Sequence, residues 1–455
     1  MKVLKFGGTS VGSVESMINV KNIVESIPGK AIVVVSALGG LTDKLIATAK
    51  RAAEGKDSWK EDMREIAQRH MDIIEALVRD DERERVYIKI DELLNELKRN
   101  YEGISLLKSL PEKTLDLIVS FGERMSSIIV AAIIKNGKRY YSPDFIKTEK
   151  WYGKNIADSK LTGKLIKETF NRMQDNEKAI VPGFISKDSS THEITNLGRG
   201  GSDYTGALIA AALGADILEI WTDVDGFMTA DPRVVKDSLI IDHLTFTESM
   251  ELCTFGAKVI YPPTIYPVFH CNIPIKILNT FNPSAPGTLI TDTPRPDDME
   301  IKGVSALKDV SIISFEITTN LQESDLSKRA LNILSKQAVR IIPISNPDPL
   351  SELNFAVSSS EASLSLEMLR KEFAPEIGKK YISNPILKDN LAAIALVGQN
   401  MRSKSRLGAR IGHSLRRQDI NIEGHSIGNS DTTLIYIIKQ EKCAEALPLI
   451  HSLVF

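Results

Sequence analysis

Residues 31–37 read AIVVVSA, a continuous apolar stretch in which Ile32, Val33, Val34 and Val35 are all β-branched. A run of this kind suits a strand covered on both faces, the environment of a parallel sheet rather than of a half-exposed antiparallel one. What precedes it fixes the connection. Val3–Phe6 is a second short buried-type strand, followed at once by glycines and hydroxyls. From Ser13 the apolar residues Met17, Val20, Val24 and Ile27 fall on one helical face, and Pro28-Gly29 ends that helix. Strand, glycine loop, helix, strand is a parallel crossover, so the fold class is α/β. The expectation is a mostly parallel central sheet sandwiched by helices, with further strands near residues 138–141, 179–184, 217–221 and 275–278.

Residues 43–107 are charged and helical in period, and read as a long helical excursion whose Lys/Glu-rich face is solvated surface. Another helix is expected over 112–135, and FISKDSSTHEITN (184–196) reads as a hairpin with a polar tip. FNPSAPGTLITDTPRPDDME (281–300) turns rich in Pro, Asp and Thr, which places a linker there. Beyond it a strand–helix–strand–strand–helix order occurs twice: 310–317, 325–337, 339–345, 353–357 and 363–373, then 391–397, 407–417, 420–426, 432–438 and 441–453. The chain therefore divides into 1–293, the α/β part, and 294–455, two small α+β modules.

The net charge is −2 with 25% charged residues of both signs interspersed, which excludes a general polyanion binder and gives no sign of nucleic acid as a partner. Cys253, Cys271 and Cys443 stand alone, without a metal-type spacing. No apolar run approaches a membrane span, and no secretory leader is visible at the N-terminus. The expectation is a cytoplasmic protein with no membrane association and no dedicated metal ligands.

Four stretches carry chemistry. In NLGRGGSDYTGALIA (196–210), glycines surround Arg199, and Ser202-Asp203 lies where a helix begins. Backbone N–H groups there can curl around an anion, although a tight turn capped by Asp203 reads equally well. KFGGTS (5–10) sets Lys5 beside two glycines at a strand end; the plainer reading is a turn with an exposed lysine. FGAKVIYPPT (255–264) supplies Lys258, otherwise a surface lysine. WTDVDGFMTADPR (221–233) is acidic after a buried strand, where acidic loops are often only turns.

Together with VVVSALGGLTD and SFGERMSS, these stretches resemble, in order and wording, aspartate kinases of the amino acid kinase superfamily, and 300–455 resembles their paired ACT domains. The resemblance implies transfer of the γ-phosphoryl group of ATP to the β-carboxylate of L-aspartate, the first step of lysine, threonine and methionine biosynthesis. It implies Lys5 as the transition-state lysine and Lys258 as a second phosphate clamp. Asp203 becomes an organiser, since an ionised carboxylate nucleophile needs no general base. Gly7 and Gly8 clear space for phosphate oxygens. Arg199 grips a substrate carboxylate, Glu123 pairs with its ammonium, and Ser36 and Thr42 line the substrate pocket. Thr222, Asp223, Met228, Arg233 and Val259 lie on the nucleotide side. Mg²⁺ is expected on the phosphates.

For the modules, the resemblance implies a homodimer or dimer of dimers and an amino-acid effector, lysine or alternatively threonine. The effector loop is expected at 318–325, with Asn320, Glu323 and Asp325 as its residues; Asp325 reads equally as a helix N-cap. Two other functions stay open: a kinase of another amino acid such as glutamate, and an amino-acid sensor with an inactive kinase domain. A fusion to homoserine dehydrogenase is not expected, because no dinucleotide-binding unit follows before Phe455.

Overall fold

The computed structural model describes residues 1–455 except 152, 297–298, 320, 322, 337–338, 340, 343, 345–351 and 428–430. Asn320 therefore lies outside the described residues, as do parts of the strand expected at 339–345. The chain packs into two compact units. One joins Met1–Phe227 to Val259–Thr293, and the other joins Met228–Lys258 to Pro294–Phe455.

In the first unit the main sheet runs in the order Thr288–Thr291, Ile275–Asn279, Ile217–Thr222, Lys2–Phe6, Ala31–Val35, Lys178–Pro182, Gly137–Arg139. All neighbours are parallel except Thr288–Thr291, which runs antiparallel to Ile275–Asn279. The Lys2–Phe6 strand is central, and its register aligns Phe6 with both Val35 and Trp221. The carboxyl ends of these strands therefore finish level, the edge where open parallel sheets place ligands. Side chains alternate along the strand. Leu4 and Phe6 enter the hydrophobic core with Val33, Val35 and the helices that follow, and Lys5 takes the opposite face.

The excursion at 43–107 is helical, and its charged face is exposed as expected. It breaks into Leu41–Ala53, Trp59–Leu77 and Asp80–Leu107, whose buried residues Trp59, Ile66, Ile90, Leu97 and Tyr101 belong to the same core. The hairpin expected at 184–196 is present as Ile185–Asp188 against Ile194–Asn196. A second hairpin, Lys147–Trp151 with Lys154–Ala157, joins it in a four-stranded sheet. The stretch expected as linker holds the Thr288–Thr291 strand.

In the second unit the two modules share one six-stranded antiparallel sheet, ordered Ile341–Ile342, Glu352–Ser358, Ile301–Glu316, Ile386–Gly398, Thr433–Lys439, Ile422–Ile427. The helices are Glu323–Lys336, Ser359–Glu372, Ser405–Arg417 and Cys443–Val454. Residues 228–258, which the contiguous division at 293 assigns to the α/β part, pack here. Ala230 and Val235 share a core with Ile394, Leu415 and Ala446. Thr229 bonds through its carbonyl to Val304 N (2.7 Å) and through its hydroxyl to His451 Nε2 (2.9 Å).

Candidate active site

At the carboxyl edge of the first unit's sheet lies a cavity of about 720 Å³. It is lined by Lys5, Gly8, Ser36, Thr42, Glu123, Arg199 and Asp203 among others, so seven of the residues singled out from sequence meet there. A larger groove of about 1180 Å³ in the same unit contains none of them and is lined by a mixture of basic, acidic and apolar residues.

The local reasons are legible. Two helices point their first turns into the cavity, Leu41–Ala53 after Gly40 (φ 75°) and Gly201–Leu213 after Gly200 (φ 69°). Neither has a side-chain cap, so first-turn amides remain for an anion, reinforced by the positive helix ends. Only glycine fits at Gly200. Its φ is left-handed, and an added Cβ would stand 2.8 Å from Thr264 Cγ2 and 2.9 Å from Tyr261 Cβ.

Lys5 and Asp203 form an ion pair, Nζ to Oδ1 at 2.7 Å, with side chains only 12% and 11% exposed. A cation and a carboxylate this sheltered from water hold each other in place, and the ammonium remains a strong local charge. An added Cβ at Gly7 would sit 3.6 Å from Lys5 Nζ, so the bare glycine leaves the ammonium clear. Asp203 does not act as the helix N-cap, since that position is Gly200.

Glu123 is buried in the Glu112–Ile133 helix, and its Oε2 has no hydrogen-bond partner. Burial pushes its pKa up to about 8, against the opposing effect of the Ala37 backbone hydrogen bond. A carboxyl desolvated to this degree and open to a cavity is suited to a cationic group. Arg199 is exposed, with its guanidinium 5.5 Å from the Tyr261 ring centroid. Ser36 is fixed by its backbone: its N–H donates to Phe6 O (3.2 Å), and its carbonyl accepts from Ser126 Oγ (2.6 Å).

The other residues singled out lie elsewhere. Thr222 and Asp223 end the strand beside Gly7, whose N–H bonds Trp221 O (3.1 Å), and Thr222 Oγ1 donates to Asp223 (3.2 Å). They do not line the cavity, and neither does Val259. Met228, Arg233 and Lys258 belong to the second unit. There Arg233 is committed to Asp231 through Nε at 3.0 Å and Nη2 at 2.8 Å, and Lys258 is exposed. Asp325 is exposed in the third position of the Glu323–Lys336 helix, so it is not that helix's N-cap.

The cavity is also lined by residues that were not anticipated, among them Asp116, Phe184 and Asn196. Asn196 donates to Asp116 and accepts from Gly198 N (3.0 Å), which ties the Arg199 loop to the Glu112–Ile133 helix. Asp116 lies seven residues before Glu123, two helical turns along one face, a spacing available in the sequence. Phe184 sits at φ 67°, an outlier for a bulky residue. No sequence signal marks it.

Residues 394–453 match the ACT domain. Over its whole length the chain is 30% identical to a bifunctional aspartokinase/homoserine dehydrogenase of Buchnera aphidicola, and it spans 56% of that protein. It is 29% identical to the chloroplastic aspartokinase 1 of Arabidopsis thaliana, covering 98% of this chain and 79% of that one. Among solved structures, E. coli aspartokinase III in complex with aspartate and ADP (R-state) superposes with a TM-score of 0.83 at 26% identity, with complete coverage of both chains. The same enzyme with lysine and aspartate (T-state) gives 0.77 at 26% identity, covering 100% of this chain and 99% of that one. Residues 1–279, well over half of the sequence, match the amino acid kinase family, and the chain belongs to that family.

Proposed function

We propose that this chain transfers the γ-phosphoryl group of ATP to the β-carboxylate of L-aspartate, yielding ADP and 4-phospho-L-aspartate. A carboxylate oxygen attacks Pγ, the Pγ–O bond to the leaving diphosphate breaks, and that oxygen departs with its electrons on ADP. The observation that carries this reading is the cavity itself: the sheltered Lys5–Asp203 pair and two uncapped helix ends face the same space as Glu123 and Arg199. Fixed cations and amides offset the repulsion of two anions brought together. Glu123 and Arg199 supply opposite charges for the two ends of a free amino acid. An aspartokinase relative that binds aspartate and ADP on the same fold adds support. On this reading Thr222, Asp223 and Val259, in the same unit as the cavity, serve the nucleotide.

Mg²⁺ fits this donor set. It takes hard oxygen ligands and keeps water, and Asp203 offers a carboxylate beside Lys5. Among the described residues no cluster of three acidic, histidine or cysteine groups is arranged to hold a metal alone, so Asp203 would hold the ion together with phosphate oxygens and water. Bound there, Mg²⁺ supplies charge neutralisation on the phosphates.

The assay is hydroxylamine trapping of the acyl phosphate, run in parallel with L-aspartate and L-glutamate. Hydroxamate with aspartate and at most a trace with glutamate is the expected result. Equal use of both, or of neither, discards the reading.

The same proposal extends to control by lysine, or alternatively threonine, at the 318–325 segment, and to pairing of two chains through the six-stranded sheet, whose outer strands are Ile341–Ile342 and Ile422–Ile427. A relative of this fold is known in complex with lysine. Lysine should inhibit the full-length protein, and Asp325→Asn, which removes a partner for the ε-ammonium, should raise the half-inhibitory concentration about tenfold. Inhibition by threonine alone, or an unchanged lysine titration in the variant, removes Asp325 from the sensor.

A further inference from the structure

Two glycine loops wall the cavity, residues 7–12 and 37–40, and they meet backbone to backbone. An added Cβ at Gly8 would stand 3.1 Å from Ala37 O, at Gly39 3.1 Å from Gly8 O, and at Gly12 3.4 Å from Gly39 N. Such contact fixes how close the loops can come, but it does not stop them from parting. The last sheet bond before the loops runs from Ser36 N to Phe6 O (3.2 Å).

Among the described residues one side chain bonds to both loops. Arg69, on the Trp59–Leu77 helix, donates from Nη1 to Gly39 O and from Nη2 to Gly12 O, each at 2.8 Å. The guanidinium is half-buried, and no carboxylate of the described residues pairs with it. The acidic residues nearby on its own helix are engaged elsewhere: Asp62 holds Lys44 and Arg51, and Glu65 holds Lys44. Burial lowers the pKa of Arg69 with no carboxylate opposing it, so the cation gains nothing from an ion pair here. Its planar fork is spent on two main-chain carbonyls from two different loops.

Arg69 is not among the residues that line the cavity; it reaches the site through Gly39, which is. We propose that Arg69 is a positioning residue for this site, a staple whose guanidinium sets the separation of the two glycine loops and therefore the placement of Gly8 against Ser36 and Thr42. This deepens the phosphoryl-transfer reading and rests on it. It also gives the helical insertion a task. The reaction needs the phosphate side, carried by the Lys5–Gly8 loop, and the acceptor side, carried by Ser36–Thr42, at one distance. An error of about 1 Å between reacting groups costs about a hundredfold in rate. Lysine cannot replace the fork, because a single ammonium lacks its fixed two-pronged geometry.

The test uses full-length Arg69→Ala and Arg69→Lys with two independent readouts. In hydroxamate kinetics both variants should lose about tenfold to a hundredfold in kcat, and millimolar ethylguanidinium should restore activity to Arg69→Ala alone. In hydrogen exchange without any ligand, peptides covering 7–13 and 36–42 should both exchange at least about tenfold faster, while the sheet peptide 31–35 stays protected. Activity within twofold of the parent overturns the proposal. So does unchanged exchange in either loop, or exchange that rises throughout the unit without guanidinium rescue, which would make Arg69 a general support of the fold. If the parent protein forms no hydroxamate, the functional reading falls, and the ligand-free exchange alone decides the role of Arg69.

Discussion

Lys5→Ala should lower kcat for acyl phosphate formation by about 10³-fold or more, with much less change in the KM for aspartate. The reason is placement. Lys5 lies on the central strand of the sheet, one residue from its end, and its ammonium is held 2.7 Å from Asp203 with little exposure to water. A charge fixed in this way requires no reorganisation as negative charge builds on the transferring phosphoryl group. The variant also leaves Asp203 as a sheltered anion without its partner, which costs up to about 3 kcal/mol in stability. That cost is separable from catalysis. The double variant Lys5→Ala/Asp203→Asn removes the orphaned charge and should recover most of the lost thermal midpoint while remaining inactive. Near-normal kcat in Lys5→Ala takes Lys5 out of the mechanism. Recovery of activity in the double variant would mean that the single substitution had acted through folding alone.

The parts of this site that were legible in the sequence are those with local backbone demands. Gly200 must adopt a positive φ to open a helix, and Gly7-Gly8 must follow a strand without side chains, so KFGG and GRGG announce themselves. The parts that were not legible depend on residues far apart in the chain. Arg69 bonds to Gly12 and Gly39 across 57 and 30 positions, and on its own helix it looks like any surface arginine. The Asp116–Asn196 bond spans 80 positions. The excursion 43–107 is helical with an exposed charged face, as read, but that face conceals the buried seam opposite it. Asp62 is itself among the buried residues, neutralised by Lys44 and Arg51.

The second unit shows a different failure. Alternation marked a strand only from Val310, yet the strand begins at Ile301. Lys302 is almost wholly buried there, and its amine donates to His243 O (3.0 Å), so a charge in the sequence hides a core position. The register then shifts between Leu307 and Val310, where Asp309 has φ 58°, and a shift of this kind resets the inside–outside phase. Residues 228–258 lie within the stretch that matches the amino acid kinase family, and Ala230 and Val235 within it pack in the 392–450 core, a contact that no local pattern announces.

Glu123→Gln should stabilise the ligand-free protein and at the same time remove most of its use of aspartate. The folded protein raises the Glu123 pKa from the ordinary 4.5 to about 8, because burial penalises the charge more than the Ala37 backbone bond favours it. The sign follows from proton binding. Between pH 4.5 and 8 the folded state holds a proton that the unfolded chain has released, so stability falls as pH rises through that window and the full loss is present above it. At pH 7 the difference is on the order of 3 kcal/mol relative to a group that never ionises. Glutamine keeps the volume and one acceptor without the charge, so its melting midpoint should exceed the parent's at pH 8 and converge with it below pH 5. Function should move in the opposite direction. The unpartnered Oε2 is what an incoming α-ammonium would meet, and it is a useful partner only when ionised. For the parent protein kcat/KM for aspartate should therefore climb toward pH 8 and then level off. In Glu123→Gln it should fall by about 10²-fold and lose that pH dependence. A variant no more stable than the parent at pH 8 would show that the carboxyl is not held protonated. A retained pH profile would show that another group takes the ammonium, and Asp116, seven residues earlier on the same helix face and itself pushed upward by burial, is then the residue to replace.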